Sequence, residues 1–399
     1  MQAEKISGRY KYPVSDKELD RRLAATQAAL QAAGLDCAVT QNFSHIFDGT
    51  IRYYIDIPTH DYSLTLLIPA EGKMTLIKHG PDSGENPIKG NMRNVERIYV
   101  KPFCQPFPFT NGMAAKCIAK EIRDHGYKKV GLIGVQLMSY DFGSYLRDDL
   151  PTVAFSDFTQ GYLDVCTVKS EEEWELIDLS VRCHERLMEA VPAIIAPGRL
   201  ECEVRADLEH MARMMGCDNI GNIAVGCDKP DHPCQFVTHI EGNRRIERGD
   251  NVCIMIEVSG PGGMYGEDAR TFTLGTPSDK LVRLFEIAKG CQEAVAAAAK
   301  PGVTGNDLSN VFDNYILNIE PTISLNLRNA GHSQGYDMMQ SPAIARNDFS
   351  VVKENMFFSI HPELTGIENF AICCDNFRIT RNGAVRLTKT PQKIFQLDV

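Results

Sequence analysis

The sequence of 399 residues lacks any apolar run near the roughly 20 residues that a membrane-spanning helix needs. Its first residues, MQAEKISGRYKYPVSD, also lack the apolar core of a secretory signal peptide. The formal net charge of −10 leaves no basic surplus for neutralising phosphates. These absences predict a cytoplasmic protein whose partners are neither a membrane nor a nucleic acid.

Cysteine is frequent, with 13 residues in the chain, but no two of them form a CxxC pair. This absence argues against a zinc ribbon and against a thioredoxin-type redox motif. We therefore expect reduced and mostly buried thiols, as in a cytoplasmic protein.

The chain is predicted to fold into two domains. Its hydrophobic content of 43% and charged content of 24% are typical of globular proteins. Strand-length apolar runs alternate with helix patterns in the first part, which predicts an α/β domain over residues 1–165. Ser170 and Glu173 form a capping box at the start of a long helix, so the second domain is placed at 166–399.

The second domain contains a weak internal repeat. A helix pattern, a Pro-Gly pair and a second helix pattern occur at Pro197-Gly198 and again at Pro301-Gly302. Strand-like segments adjoin both copies. A Pro-Gly pair alone often just ends a helix, but its recurrence implies two αβ units around one core, with a cleft where they meet.

Polar residues on presumed central strands are the candidates for chemistry, because burying them is costly unless they are paired or used. Each of them alone also fits a structural role, as an ion pair of Asp268 with Arg270 illustrates. Together, three histidines and several carboxylates in strand segments flanked by glycine predict a functional cleft. The set is His239, Glu257, Glu267, Asp268, Arg270, His332, His361, Glu363 and Asp375.

Several segments occur in an order that is typical of one family. They are Thr238-His239 ahead of Gly249-Asp250, then Arg270-Thr271-Phe272, Gly331-His332, residues 355–360 and Ile379-Thr380. As a set, they resemble the pita-bread family of methionine aminopeptidase, prolidase, aminopeptidase P and creatinase. Residues 51–54 resemble a strand of the N-terminal domain in its creatinase and prolidase branch. The resemblance implies an α/β (α+β) chain, with a creatinase-type mixed α/β domain before a C-terminal pita-bread domain.

The metal peptidases of this family use two aspartates, one histidine and two glutamates. The resemblance carries the histidine to His332, but it carries the other ligands poorly. The aspartates fall on Met255 or Glu257 and on Glu267 or Asp268, the glutamates on His361 and Cys374, and a further His-Glu pair on Met339-Gln340.

Such a set cannot supply the bridging carboxylates that two hard cations need, so we expect no cofactor. The lesser alternative is a single zinc or iron ion on Glu267, His332, His361 and Cys374.

Creatinase resembles these peptidases but works without metal, and the histidine matching His239 moves protons there. Our leading hypothesis is therefore a creatinase-like, metal-independent hydrolase or lyase that cleaves a C–N or C–S bond of a small polar metabolite. His239 would act as general base and then acid, while His332 and His361 would bind or polarise the substrate. Glu267 or Asp268 would orient a histidine or hold a cationic group. Further substrate contacts are expected from Tyr265, Arg270, Asp375, Glu257, His60 and Tyr62.

Two alternatives stay open. One is a metal-dependent Xaa-Pro dipeptidase or aminopeptidase, or an iron-dependent lyase of the dimethylsulfoniopropionate-cleaving kind. The other is a catalytically inactive binding protein, like the histone-chaperone relatives of this family. The resemblance also implies a homodimer in which the partner's N-terminal domain lies near the active site, with His60, Asp61 and Tyr62 on the contributing loop.

Overall fold

The computed structural model describes residues 14–42, 49–58, 62–104, 106–230, 232, 234, 243–319, 330–365 and 370–398. Within these ranges the chain divides into two units, of which one ends at Cys166 and the other begins at Thr167. Each unit has buried apolar clusters of its own. None of the helices in these ranges is long and apolar enough to cross a bilayer.

The N-terminal unit is built on a mixed sheet. Its helices are α1 (Asp16–Ala32), α2 (Gly49–Ile55), α3 (Gly112–His125), α4 (Tyr140–Asp149) and α5 (Thr159–Cys166). Its strands are β1 (Cys37–Asn42), β2 (Leu64–Pro69), β3 (Met74–His79), β4 (Ile88–Met92), β5 (Val95–Lys101), β6 (Lys129–Ile133) and β7 (Ala154–Asp157). They form one sheet in the order β4-β5-β3-β2-β1-β6-β7, in which the β1–β6, β6–β7 and β3–β5 pairs are parallel.

One prediction for this unit is wrong: residues 51–54 lie in helix α2 and not in a strand. The helix is held against α1, because Arg22 Nη1 donates to the Tyr53 carbonyl at 3.0 Å. The hydroxyls of Tyr54 and Thr26 also share a hydrogen bond of 2.9 Å. Residues 51, 52, 53 and 54 are all buried, so their burial shows neither the periodicity of a strand nor that of a helix.

The C-terminal unit alternates helix pairs with strands. Its helices are α6 (Glu171–Ile194), α7 (Glu201–Met214), α8 (Asp279–Ala298) and α9 (Gly305–Ile319). Its first strands are β8 (Asn219–Asp228), β9 (Asn251–Ser259) and β10 (Tyr265–Thr273). The later strands are β11 (Gly331–Ser333), β12 (Gln340–Ala343), β13 (Phe357–Ile360), β14 (Glu363–Thr365), β15 (Phe370–Ile372), β16 (Asp375–Thr380), β17 (Gly383–Arg386) and β18 (Phe395–Gln396).

Two sheets of this unit contact each other through strand β10. The first has the order β18-β10-β9-β8, the second has the order β12-β11-β13-β16-β17, and β14 pairs with β15. Helices α6 and α7 pack on the first sheet, and α8 packs on the second. Strand β10 contacts both β15 and β16. Two apolar cores therefore lie between the helices and the sheets, one for each sheet. Polar groups can lie where the two sheets contact each other.

The predicted internal repeat is confirmed, but each copy has an apolar core of its own and not the single shared core that was predicted. Gly198 and Gly302 both have φ of +97°. In each copy the residue after glycine donates its N–H to the residue before proline, which is a type II turn. The glycine N–H groups donate to Ile246 and Val352 in equivalent places. The same turn therefore joins α6 to α7 and α8 to α9.

The strand predicted over residues 371–380 is divided in two. It is interrupted by Cys373 and Cys374, which lie between β15 and β16. Cys374 leaves the second sheet and forms an isolated bridge with Ala269 of β10. Its carbonyl accepts a hydrogen bond of 2.7 Å from Arg270 Nη1. This break is one of the points at which the two sheets are joined.

Candidate metal centre

Three buried side chains meet where the sheets adjoin. Glu267 lies on β10, His332 lies on β11, and His361 directly follows β13. The Nε2 atoms of His332 and His361 lie 3.7 Å and 3.8 Å from Glu267 Oε2. Each residue offers one ligand atom, and these three atoms lie within 4.8 Å of one another. Three of the four metal ligands that were predicted from the sequence therefore lie close together.

His332 is oriented by a backbone carbonyl. Its Nδ1 lies 3.2 Å from the carbonyl oxygen of Ser333, and a carbonyl can only accept, so Nδ1 carries the proton. Burial, with the neighbouring His361, lowers the pKa of His332 to about 4. The ring is therefore neutral near pH 7, and the lone pair on Nε2 faces Glu267.

Among the residues that the structure describes, His361 has no hydrogen-bond partner. Both of its ring nitrogens are buried, and neither makes a hydrogen bond with the residues that the structure describes. Leaving such groups unsatisfied costs about 1–3 kcal/mol. The ring stands 5.2 Å from that of His332, centre to centre, and a bound ligand would satisfy it.

Glu267 is held from two directions. Ser359 Oγ donates to its Oε2 at 2.7 Å. Asn376 accepts from the Glu267 N–H at 3.0 Å and donates to its carbonyl at 2.7 Å. Burial alone raises the pKa of Glu267, but His361, His332 and the hydrogen bonds from Ser359 and Cys374 outweigh it and lower the pKa. The carboxylate is therefore ionised and fixed in place.

The register of β9 against β10 decides which residue faces Glu267. Glu257 is directly opposite Glu267, whereas Met255 is opposite Ala269. Burial and the charge of Glu267 raise the pKa of Glu257 well above its ordinary value. The protonated form of Glu257 is therefore favoured, and its carboxyl lies outside the three-donor group.

Cys374 does not join the donor group, which corrects its predicted role as a ligand. Its Sγ lies 3.3 Å from Ser359 Oγ, the hydroxyl that binds Glu267. Burial and the charge of Glu267 raise the pKa of the thiol well above its ordinary value. Cys374 is therefore a neutral thiol beside a ligand.

Arg270 and its partners form a separate buried network. The guanidinium donates to the carbonyls of Ala269, Cys374, Thr390 and Pro391 and to the Asp375 carboxylate. Its five N–H groups are thereby used. The substrate contacts predicted for Arg270 and Asp375 do not fit this pairing, since Asp375 also accepts from Arg386 and Gln392.

Asp268 belongs to the same network. Its Oδ1 lies 2.9 Å from Arg270 Nη1, whose two hydrogens go elsewhere, so charge alone holds the pair together. Burial raises the pKa of Asp268 to about 7. Its side chain points to the opposite face of β10 from Glu267. The predicted role of Asp268 in orienting a site histidine does not fit this position.

The remaining predicted residues are spread more widely. Tyr265 shares the Glu267 face of β10, and its hydroxyl accepts from Asn219 Nδ2 at 3.0 Å. Tyr62 belongs to the N-terminal unit and stacks on His79 at 3.8 Å. Both His239 and His60 lie outside the described residues.

Sequence reasoning missed the two residues that support Glu267. Ser359 stands two residues before His361 and therefore on the same face of that segment. This spacing could have identified it. Asn376 offers no such signal, because its contact with Glu267 joins two sheets that are distant in sequence.

The donor set fits a divalent metal ion. Two imidazole nitrogens and one carboxylate are ligands of catalytic zinc and iron sites, where positions are left for water or substrate. The nitrogens of His361, which have no partner within the described ranges, indicate the same use. The expectation that the protein has no cofactor finds no support in this geometry.

Comparison with known proteins gives the family. A model of metallopeptidase family M24 matches residues 175–390, more than half of the chain. The Xaa-Pro dipeptidase of Pyrococcus furiosus is 27% identical over 277 residues, or 67% of this chain and 76% of that protein.

Two solved structures share the fold. Dipeptidase PepE from Mycobacterium ulcerans has a TM-score of 0.76 at 21% identity, over 97% of this chain and 100% of that one. The Xaa-Pro dipeptidase from Bacillus anthracis has a TM-score of 0.75 at 18% identity, over 95% and 100%. The predicted pita-bread fold and the kinship with creatinase-like and Xaa-Pro peptidase-like hydrolases are confirmed, and the chain belongs to metallopeptidase family M24.

Proposed function

We propose that the chain hydrolyses the C–N bond of small dipeptides of the Xaa-Pro class, assisted by a divalent metal ion. The observation that carries this proposal is the group of Glu267, His332 and His361 donor atoms. Relatives that are named Xaa-Pro dipeptidases support the substrate class. The family match supports hydrolysis.

The residues of the centre have distinct tasks. Glu267, His332 and His361 would hold the ion, which when bound polarises a substrate carbonyl and acidifies water. Ser359 and Asn376 fix the position of Glu267. The Ser333 carbonyl keeps the proton of His332 on Nδ1 and so leaves Nε2 free to bind.

Proton transfer is assigned to two further groups. The raised pKa of Glu257 favours its protonated form, and Glu257 is directly opposite Glu267, so it can donate a hydrogen bond to the substrate. His239 keeps its predicted role as proton carrier. A His239→Gln variant that is folded and turns over substrate at the wild-type rate would remove that role.

The rival hypotheses are weaker. Metal independence and lyase chemistry find no support among the relatives, and the imidazole-rich centre argues against metal independence. An inactive binding protein would gain nothing from a buried histidine, His361, whose ring nitrogens have no hydrogen-bond partner among the described residues. A substrate whose C–N bond belongs to a different small metabolite remains an outcome of the assay.

The test is an assay of the free amino acids released from Xaa-Pro dipeptides, with Xaa-Ala dipeptides as the matched control. We expect turnover of the proline series by protein loaded with zinc, cobalt(II) or iron(II), with manganese tested alongside them. Glu267→Gln should lower kcat/KM by more than about 100-fold, since ligands matter more than the outer partners that cost 10–100-fold. Proline release that is absent with every metal would refute the proposal.

We also infer a homodimer with the partner's N-terminal unit near the active site. The support is the resemblance to the creatinase branch, which places His60 and Tyr62 on the contributing loop. Tyr62 is 47% exposed and can meet another chain.

A further inference from the structure

We infer that the centre binds one divalent ion of the zinc, iron(II) and cobalt(II) class, and not a pair of hard ions such as magnesium or manganese. This inference rests on the proposed function only in placing a metal ion at Glu267, His332 and His361. It adds the number of ions and their chemical class.

The spacing of the donors is that of a single coordination sphere. Two donors on a tetrahedral ion with bonds of about 2.1 Å lie about 3.4 Å apart. The observed separations of 3.7 Å and 3.8 Å from Glu267 Oε2 need only a small contraction. One ion placed among the three atoms can therefore reach each of them.

Charge argues against a second ion. Glu267 supplies the one carboxylate of the three-donor group among the described residues, and the other two donors are imidazoles. One divalent ion leaves this donor group with a single excess positive charge, which a bound hydroxide or substrate carboxylate can balance. A second divalent ion would leave an excess of three, and uncompensated buried charge is strongly unfavourable.

A second ion would also lack ligands. Two hard cations need bridging carboxylates and mostly oxygen donors. In the part of the chain that the structure describes, no carboxyl besides that of Glu267 joins the donor group. The Sγ of the neighbouring Cys374 lies against Ser359 Oγ and is not among the three donor atoms.

The donor types select the kind of ion. Imidazole nitrogen suits zinc, iron, copper and nickel, whereas carboxylate, carbonyl and water suit magnesium, calcium and manganese. Two histidines and one carboxylate with open positions occur in catalytic zinc sites and in non-haem iron(II) sites. Both of these take one ion.

The experiment is metal titration of the full chain after chelation. Calorimetry and elemental analysis give the number of ions retained, and the visible d–d absorption of cobalt(II) reports on the ligands. We expect one equivalent of zinc, cobalt(II) or anaerobic iron(II), with magnesium and manganese binding more weakly. Two retained equivalents, no retained ion, or a preference for manganese would each overturn the inference.

Four variants identify the ligands. His361→Ala and Glu267→Gln should weaken zinc binding by more than about 100-fold and change the cobalt spectrum. Glu257→Gln and Cys374→Ser should retain one equivalent, with His79→Ala in the other unit as a further control. Unchanged affinity in His361→Ala, or a lost second equivalent in Glu257→Gln, would contradict the assignment.

The dipeptide assay separates this inference from the proposed function. One retained ion without proline release would leave the inference intact and remove the function. Two retained ions with proline release would do the reverse. Unfolding curves of each variant show that a lost ion reflects a lost ligand and not a lost fold.

Discussion

Ser359 and Ser333 lie on neighbouring strands and are both fully buried, but their hydroxyls do different things. Ser359 Oγ donates to the carboxylate oxygen of Glu267 that faces both histidines. Ser333 Oγ makes no hydrogen bond with the described residues. The pair thus provides a matched comparison between a hydroxyl that orients a ligand and one that does not.

We predict that Ser359→Ala lowers zinc affinity by about 10–100-fold, as is typical when a ligand loses its outer hydrogen bond. The number of ions bound should not change, because the three donors remain. Ser333→Ala should bind zinc as the wild type does. Competition with a chromophoric chelator measures both, and equal affinities in the two variants would contradict the role of Ser359.

The buried ring of His184 should make the free energy of unfolding depend on pH. It is fully buried, its Nδ1 donates to Ser180, and its Nε2 accepts from Val258 N–H. Burial lowers its pKa from 6.5 to about 4, so the native state binds fewer protons than the unfolded state between these values. The free energy of unfolding should therefore fall as pH drops from 6.5 towards 4, by up to about 1.4 kcal/mol per pH unit.

The measurement is the urea midpoint against pH, followed by the fluorescence of Trp174, the single tryptophan of the chain. Trp174 reports on the C-terminal unit. His184→Gln should flatten the profile in this window, whatever its stability at pH 7. His79→Gln is the control and should keep the wild-type slope, and a variant at 184 that also keeps it would disprove the assignment.

The two Pro-Gly turns allow a prediction about elements. Gly198 and Gly302 both adopt φ of +97°, with nothing within 4 Å of an added Cβ. Replacement by alanine should therefore cost backbone strain alone, about 1–2 kcal/mol in this region of conformational space. The cost should be nearly the same at both turns, because their geometries agree.

Urea unfolding followed by Trp174 tests this expectation for Gly198→Ala and Gly302→Ala. Gly143 in α4 also has open space around it and lies in the other unit. Gly143→Ala should therefore leave the urea midpoint of the Trp174 transition unchanged. Costs that differ by several kcal/mol between the two turns would show that they are not equivalent.

Elements with a clear local signal could be predicted from the sequence. The Ser170 capping box marked the start of α6, and Pro-Gly marked both turns. Residues 51–54 could not be assigned, because a run buried on all sides has neither helical nor strand periodicity. The break at Cys373-Cys374 depends on a bridge to β10 and is not encoded locally.

The same division applies to the centre. Glu267, His332 and His361 were identified from motif order, since each lies in or beside a recognisable segment. Whether Met255 or Glu257 faces Glu267 depends on the strand register, which sequence spacing left open. Hydrogen bonds between distant segments place Cys374 beside the donor group without joining it, and they occupy the N–H groups of Arg270. Neither fact could be read from the local sequence.

At the scale of the whole molecule, the exposed aromatics of the N-terminal unit bear on the proposed dimer. Phe107, Phe109 and Tyr140 are 54%, 81% and 86% exposed. Phe107 and Phe109 stack at 6.0 Å, and the Asn111–Asp141 hydrogen bond brings the segment of Tyr140 near them. Such a patch is typical of an interaction surface.

We predict a solution mass of twice the 44.4 kDa of one chain, measured by light scattering after size exclusion. Phe109→Asp with Tyr140→Asp should shift the mass towards one chain, because two charges in an apolar contact are costly. Phe349→Asp is the control, since Phe349 is 68% exposed in the other unit. A wild-type protein that elutes as one chain would end the dimer proposal.

The donors of the centre are divided between the two repeats of the C-terminal unit. The first repeat contributes the acidic oxygen from β10, and the second contributes both ring nitrogens from β11 and the end of β13. A polypeptide with a single repeat would have at most two of the three donors. An ancestor made of one such repeat would therefore have needed two copies side by side to capture a metal, and gene fusion would have made that capture independent of protein concentration.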